Sequence, residues 1–224
     1  MKMKLAELKK RIRILVEPPS NVTHHEQMRR LGAFFESFDS EALIADIGSG
    51  YNKYSDRCIA IDIIEYDGVD ILGNLYNIPL SDGSLDGIVV RGVLEHVEAP
   101  EKAVEELKRV LKPGGMIYSS IPFMQAYHPS PGDYQRYTIQ GIERLFSGFE
   151  KIDCGITRGS GSSFVWIGRE YFSQLLSLNN MTLYKIWKVF FGWTLQPFKY
   201  TDYFLNHHRM AHLAASGFTF IGRK

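Results

Sequence analysis

Apolar positions near the start of the chain recur at helical spacing. Leu5, Leu8, Ile12 and Leu15 lie three, four and three residues apart, on one helical face, and Pro18-Pro19 ends the pattern. A second helical stripe carries Met28, Leu31, Phe34 or Phe35, and Phe38, so residues 1–40 are expected to form N-terminal helices. From residue 41 the rhythm changes to short apolar runs. Residues 42–47 form a continuous run ending in Gly-Ser-Gly, which suits a parallel strand buried on both faces. Similar runs occupy 58–63, 86–90 and 115–121. A helix over 100–111 opens on Pro-Glu and stops at Lys112-Pro113-Gly114-Gly115. A helix over 138–146 and a strand over 149–157 follow. Residues 163–206 then read as mainly helical and hold Trp166, Trp187 and Trp193, before a closing strand within 214–222. Strands alternating with helices predict an α/β layered fold with a mostly parallel sheet.

Composition narrows the classes. At 224 residues, with 45% hydrophobic and 23% charged positions, the chain suits one substantial core, hence a single domain over 1–224, and wholesale disorder is excluded. Net charge is +1 and no run of five like charges occurs, so no nucleic-acid partner is expected. Cys58 and Cys154 form no Cys-x-x-Cys pair, which disfavours a disulfide framework or zinc site and points to a reducing, cytoplasmic setting. The start, Met1-Lys2-Met3-Lys4, is not followed by an apolar stretch with a small-residue cleavage site, so no signal peptide is expected. The apolar stretch 181–195 is broken by Lys185 and Lys188 and is shorter than the roughly 20 residues a span needs, so the chain reads as soluble.

Asp46-Ile47-Gly48-Ser49-Gly50 is the first candidate site. Gly48 and Gly50 let the backbone approach a ligand closely, and glycines also serve ordinary turns. Ile59-Ala60-Ile61 leads to Asp62, whose carboxylate can accept from both hydroxyls of a ribose. A dinucleotide or an adenosylmethionine could use such a pair. Lys53 stands where a dinucleotide loop has its third glycine, and adenosylmethionine has no phosphate to cradle.

With those residues in order, the stretch 44–149 resembles the class I S-adenosylmethionine-dependent methyltransferases, especially the small-molecule branch that includes quinone-biosynthesis enzymes. The matching blocks are Ala45 to Gly50, Ile61-Asp62-Ile63, the run from Gly73 to Asp86, Val93-Leu94-Glu95-His96-Val97, and Leu107 to Gly115. The resemblance implies a Rossmann-like seven-stranded, mostly parallel sheet flanked by helices, its last strand antiparallel, with the helical 163–206 inserted before it. It implies S-adenosyl-L-methionine as cofactor, held by Asp46, Gly48, Ser49 and Gly50. Asp62 would hold the ribose, Ile63 lie on the adenine, Asn74 and Leu75 meet its edge, and Arg91 sit near the methionine portion. Two positions depart from the family pattern. Asn52 replaces a third glycine, though asparagine tolerates left-handed backbone. Asn74 replaces an acid, though its amide oxygen can still accept from the adenine amino group.

The methyl acceptor is expected at the carboxyl ends of the strands. Residues 122–138 follow the fifth strand there. Within them His128 and Asp133 suggest an acid/base pair, and Arg136 an anchor for an anionic or polyhydroxylated acceptor; local bracing, with Arg136 paired to Asp133, is the competing reading. The series Pro-Phe, His, Asp-Tyr-x-Arg-Tyr-Thr also resembles methyltransferases associated with surface-polysaccharide synthesis, which implies a saccharide or glycolipid acceptor. His96 is read mainly as packing. The aromatic insertion suits a lid or acceptor platform first, a homodimer surface second and shallow membrane contact third. His207-His208 and His212 are read as surface or interface residues and no metal is expected. The competing functions are a non-catalytic cofactor-binding subunit and an NAD-dependent oxidoreductase.

Overall fold

A computed structural model describes residues 25–51 and 53–224. The expected helix through Leu5 and Leu15, and the departure at Asn52, lie outside the described residues. The first described helix is α1 (His25–Glu36), which buries Leu31, Phe34 and Phe35 of the expected stripe, while Met28 is exposed and Gln27 is buried in its place. Then come β1 (Ile44–Ile47), β2 (Cys58–Asp62), β3 (Ile71–Leu72) and β4 (Leu85–Arg91). A 3-10 turn (Leu94–His96) leads to α2 (Pro100–Val110), β5 (Leu111–Pro122), α3 (Ile139–Leu145) and β6 (Glu150–Arg158). The later elements are α4 (Ser160–Leu176), α5 (Met181–Leu195), α6 (Asp202–Leu205) and β7 (Gly217–Arg223).

The seven strands form one sheet in the order β3-β2-β1-β4-β5-β7-β6. β1 pairs parallel with β2 and β4, β4 pairs parallel with β5, and β7 returns antiparallel to β5. This is the Rossmann-like sheet that the order of motifs implied. β1 is an inner strand and all four of its residues are buried, which is why its sequence is apolar but for Asp46 rather than an alternation. α1 covers one face: Phe34 meets Tyr118 of β5 edge-on at 5.8 Å and joins Ile44, Cys58, Val89 and Ile221 in one cluster.

Three local details differ from the sequence reading. β3 spans only Ile71–Leu72, too short to show a periodic pattern. β5 begins at Leu111, where α2 was expected to be ending, because Leu111 pairs with Leu85 ahead of a register shift. No helix follows the Gly-Ser-Gly turn among the described residues 48–57; Gly48 and Gly50 both have positive φ, which interrupts a helical start. α3 instead starts where a capping residue sits, with Thr138 accepting from Gly141 N at 3.1 Å.

Two compact units are distinguished. One comprises Gln27–Phe123, Tyr127–Thr157 and Gly217–Lys224 and holds the sheet; the other includes Met124–Ala126 and Arg158–Ser216 and contains the helical segment 163–206. Within the helical unit, α4 packs on α5, with Phe172 and Phe191 rings 5.3 Å apart. Its organising polar residue is Asp202, fully buried, which accepts from the backbone N–H groups of Gly161 (2.7 Å) and Ser162 (3.2 Å) and from Ser162 Oγ (2.6 Å). A carboxylate there satisfies donors that the first turn of α4 leaves unpaired. No described helix is long and apolar enough to cross a membrane.

Candidate functional site

A cleft of about 390 Å³ opens beside the carboxyl ends of β1, β2 and β4, within the size range of small-molecule sites. Its floor is the glycine turn. Gly48 has φ +70° and its N–H donates to Ile61 O at 2.8 Å. A Cβ on Gly48 would stand 2.3 Å from Val93 Cγ2, so only glycine fits. A Cβ on Gly50 would meet nothing within 4 Å, so that backbone faces open space.

Asp62 closes the turn from the end of β2. Its Oδ2 accepts from Gly50 N and its Oδ1 from Ile64 N, both at 2.9 Å. Each oxygen keeps further acceptor capacity, and Asp62 lines the cleft. Ile63 beside it is 65% exposed, an apolar face without cover on the cleft wall. Asn74 and Leu75 line the same wall. Asn74 Oδ1 accepts from Tyr76 N at 2.9 Å, which fixes the side-chain amide in an Asx turn. The loop carrying Asn74 is anchored by α2: Glu106 accepts from Ile78 N at 2.7 Å, and Arg109 donates to the carbonyls of Ile78 and Leu80 at 3.0 Å each. The block Leu107 to Gly115 thus positions the loop from behind.

Asp46 and Arg91 sit elsewhere. Asp46 is buried and does not line the cleft; its Oδ2 accepts from Tyr54 N (2.8 Å) and from Arg91 Nη2 (3.2 Å). Burial pushes the Asp46 carboxyl above its ordinary value, against the pull of Arg91. Arg91 also lies over the Tyr54 ring at 5.1 Å. The pair ties the ends of β1 and β4 to the segment that carries Tyr54. Ser49 is buried at the turn, and its hydroxyl has no hydrogen-bond partner among the described residues.

The far end of the cleft is walled by His96, Val97, Glu98, Ser130, Pro131 and Tyr134. Here the 3-10 turn meets the loop after β5. Gln135 donates to the carbonyls of Leu94 (2.9 Å) and Val97 (2.6 Å), and Tyr134 N donates to Glu95 O at 2.8 Å. In that loop Asp133 accepts from Arg136 through both oxygens and from His128 N at 2.8 Å. The Arg136 guanidinium holds the Asp133 carboxyl well below the usual carboxylate range. Asp133 is therefore ionised and engaged in bracing, and the Arg136 fork lies on Asp133. His128 Nδ1 lies 3.2 Å from Arg136 Nη2, and its ring meets His96 edge-on at 5.3 Å. Sequence reasoning passed over Glu95 and Gln135. Glu95 stands in a matching block with no role of its own assigned, Gln135 carries no local signature, and their partners come from segments about forty residues away.

Several known proteins share these features. A family model described as "Methyltransferase domain" matches residues 45–119. A protein of Mycolicibacterium smegmatis, named a probable S-adenosylmethionine-dependent methyltransferase, is 38% identical over 131 residues, covering 53% of this chain and 51% of that protein. A tRNA (carboxymethyluridine(34)-5-O)-methyltransferase of Arabidopsis thaliana is 29% identical over 122 residues, covering 47% of this chain and 30% of that protein. The chain spans about half the length, or less, of the curated relatives it matches. In fold it resembles the crystal structure of a SAM-dependent methyltransferase from Methanosarcina mazei, with a TM-score of 0.51 at 15% identity over 86% of this chain and 96% of that one. Sheet order, ordered motifs and relatives agree: residues 45–119 match a methyltransferase domain, and the chain is similar to the class I S-adenosylmethionine-dependent methyltransferases, whose cofactor is S-adenosyl-L-methionine.

Proposed function

We propose that this chain transfers the methyl group of S-adenosylmethionine to an oxygen of a small-molecule or saccharide acceptor, including a glycolipid. The observation that carries this reading is one cleft with two chemically different ends. At one end lie a buried carboxylate (Asp62), the open backbone at Gly50 and the uncovered Ile63; at the other lies the imidazole of His96. The first end fits an adenosyl group: Asp62 for the ribose hydroxyls, Ile63 and Leu75 for the adenine faces, Asn74 for its edge. The glycine turn fits the methionine portion, with Ser49 supplying an unengaged hydroxyl.

Bound there, the cofactor supplies an electrophilic methyl on a cationic sulfur. The chain's own part is to align an acceptor oxygen behind that methyl and to exclude water, which accounts for most of the rate in such displacements. His96 and His128 are the groups near the acceptor end that can manage its proton, while Asp133 and Arg136 hold His128 in place. We read residues 1–224 as one methyltransferase domain, with the helical segment 163–206 an insertion in the connectivity between β6 and β7. Transfer of labelled methyl to a panel of hydroxylated glycans and phenols tests the reading. Transfer to tRNA instead, as the Arabidopsis relative's name suggests, would move the acceptor class, and absence of cofactor binding would refute the reading altogether.

A further inference from the structure

Behind the wall of the cleft, three donor atoms converge. His96 Nε2 lies 3.7 Å and His128 Nε2 3.9 Å from Glu95 Oε1, and the three atoms all lie within 4.8 Å of one another. Glu95 is only 2% exposed, and its Oε2 has no hydrogen-bond partner among the described residues. A buried carboxylate oxygen left unpaired costs free energy unless a cation or donor meets it. The two imidazoles lie nearest the other oxygen of the same carboxylate, Oε1, and neither is within hydrogen-bond distance of it.

The geometry points to a site for a single first-row divalent cation held by Glu95, His96 and His128. Two imidazoles with one carboxylate favour Zn2+ or Mn2+ over Mg2+, which prefers an all-oxygen shell. Ligand bonds of about 2.1 Å set donors roughly 3.4 Å apart around a tetrahedral centre, so the two spacings to Glu95 need to close by a few tenths of an ångström and the separation of the two imidazole nitrogens, within 4.8 Å, by up to about 1.4 Å. The support behind His96 is already that of a metal ligand. Its Nδ1 lies 2.6 Å from Gly132 O, and a carbonyl only accepts, so the proton sits on Nδ1 and Nε2 presents its lone pair.

His128 is set differently. Arg136 only donates, so its contact with Nδ1 leaves the free ring protonated on Nε2. Cation binding requires that proton to move to Nδ1, where Asp133 Oδ2, 3.9 Å away, is the acceptor toward which the ring turns. The Asp133–Arg136 pair would thus control how readily the third ligand engages.

Three protein ligands leave a coordination position open. The role of that position rests on the methyl-transfer reading. An acceptor hydroxyl placed there loses its proton to solvent more readily. Its oxygen lone pair then forms the new O–C bond as the S–C bond breaks, and that bond's electron pair stays on sulfur.

The test uses untagged full-length protein stripped with EDTA and titrated calorimetrically with Zn2+, Mn2+ and Mg2+, with Co2+ as a spectroscopic probe. One Zn2+ or Co2+ per chain is expected, with Mg2+ markedly weaker. Glu95→Gln and His128→Ala should each weaken the cation about 100-fold, while a His207→Ala/His208→Ala variant keeps it. His128 lies on a partly exposed loop, so that variant remains informative where Glu95→Gln misfolds. No stoichiometric cation, preference for Mg2+, or unchanged affinity in His128→Ala would overturn the site. S-adenosylhomocysteine is titrated into the same samples. Cation binding without nucleoside binding would sink the methyltransferase reading and keep the site, and the reverse would remove the site alone.

Discussion

Replacing Asp62 with alanine probes the donor half of the cleft most directly. Asp62 accepts from two backbone N–H groups at 2.9 Å and, in the proposed complex, from two ribose hydroxyls as well. Hydrogen bonds to a charged group contribute about 1.5–3 kcal/mol each, and water refilling the site recovers part of that. Taking the lower figure for both hydroxyls gives about 3 kcal/mol, or roughly 100-fold in affinity. The backbone donors of Gly50 and Ile64 stand at the cleft and regain water, so the fold should lose only about 1–2 kcal/mol, a few degrees of melting temperature. The assay is calorimetric titration of S-adenosylhomocysteine into wild type and Asp62→Ala at matched ionic strength, beside a thermal melt of each. A folded Asp62→Ala protein that binds within threefold of wild type would refute the ribose assignment. Asp62→Asn sharpens the outcome: it preserves shape but sets an amide N–H against one of the two backbone donors, so its loss should approach that of alanine.

Other perturbations follow from the same geometry. Gly48→Ala should cost several kcal/mol and abolish cofactor binding, since its Cβ would lie 2.3 Å from Val93 at positive φ; Val93→Ala should restore part of the stability, measured by urea unfolding. Arg136→Met leaves Asp133 ionised and 1% exposed without its fork, at a cost of about 3 kcal/mol in the same assay. Because the folded pKa of Asp133 is lowered, its contribution is fully present above the unfolded value of about 4 and is lost as pH falls toward the folded one. Asp133→Asn should therefore flatten the acid limb of the stability profile, and an unchanged limb would count against the pair. Burial pushes the Cys58 and Cys154 thiols up to about 11, so at pH 8 about one in a thousand is thiolate; alkylation should be at least about 100-fold slower than in urea, read by mass spectrometry.

The sequence by itself determined the glycine turn and the acid that closes it. A continuous apolar run before Asp46, two glycines, and an acid closing the next run are local signals, and local signals survive without tertiary context because each reflects one strand end and one turn. The order of the later blocks carried the sheet topology for the same reason: parallel strands joined by helices leave few ways to connect. Tertiary structure decided which way side chains turned. Arg91 was legible as a cation at a strand end, but its turn onto Asp46 and Tyr54 depends on a partner 45 residues away. Asp133 and Arg136 were legible as neighbours in one loop, and only the folded loop showed their fork closed on itself beside His128. Glu95 was legible only as one member of a matching block, without its burial. A glutamate in a short turn reads as a surface residue, and its burial between two imidazoles arises only when the loop after β5 is laid across that turn by Gln135 and Tyr134. Periodicity records what each element buries; it does not record what a polar group meets once distant segments converge.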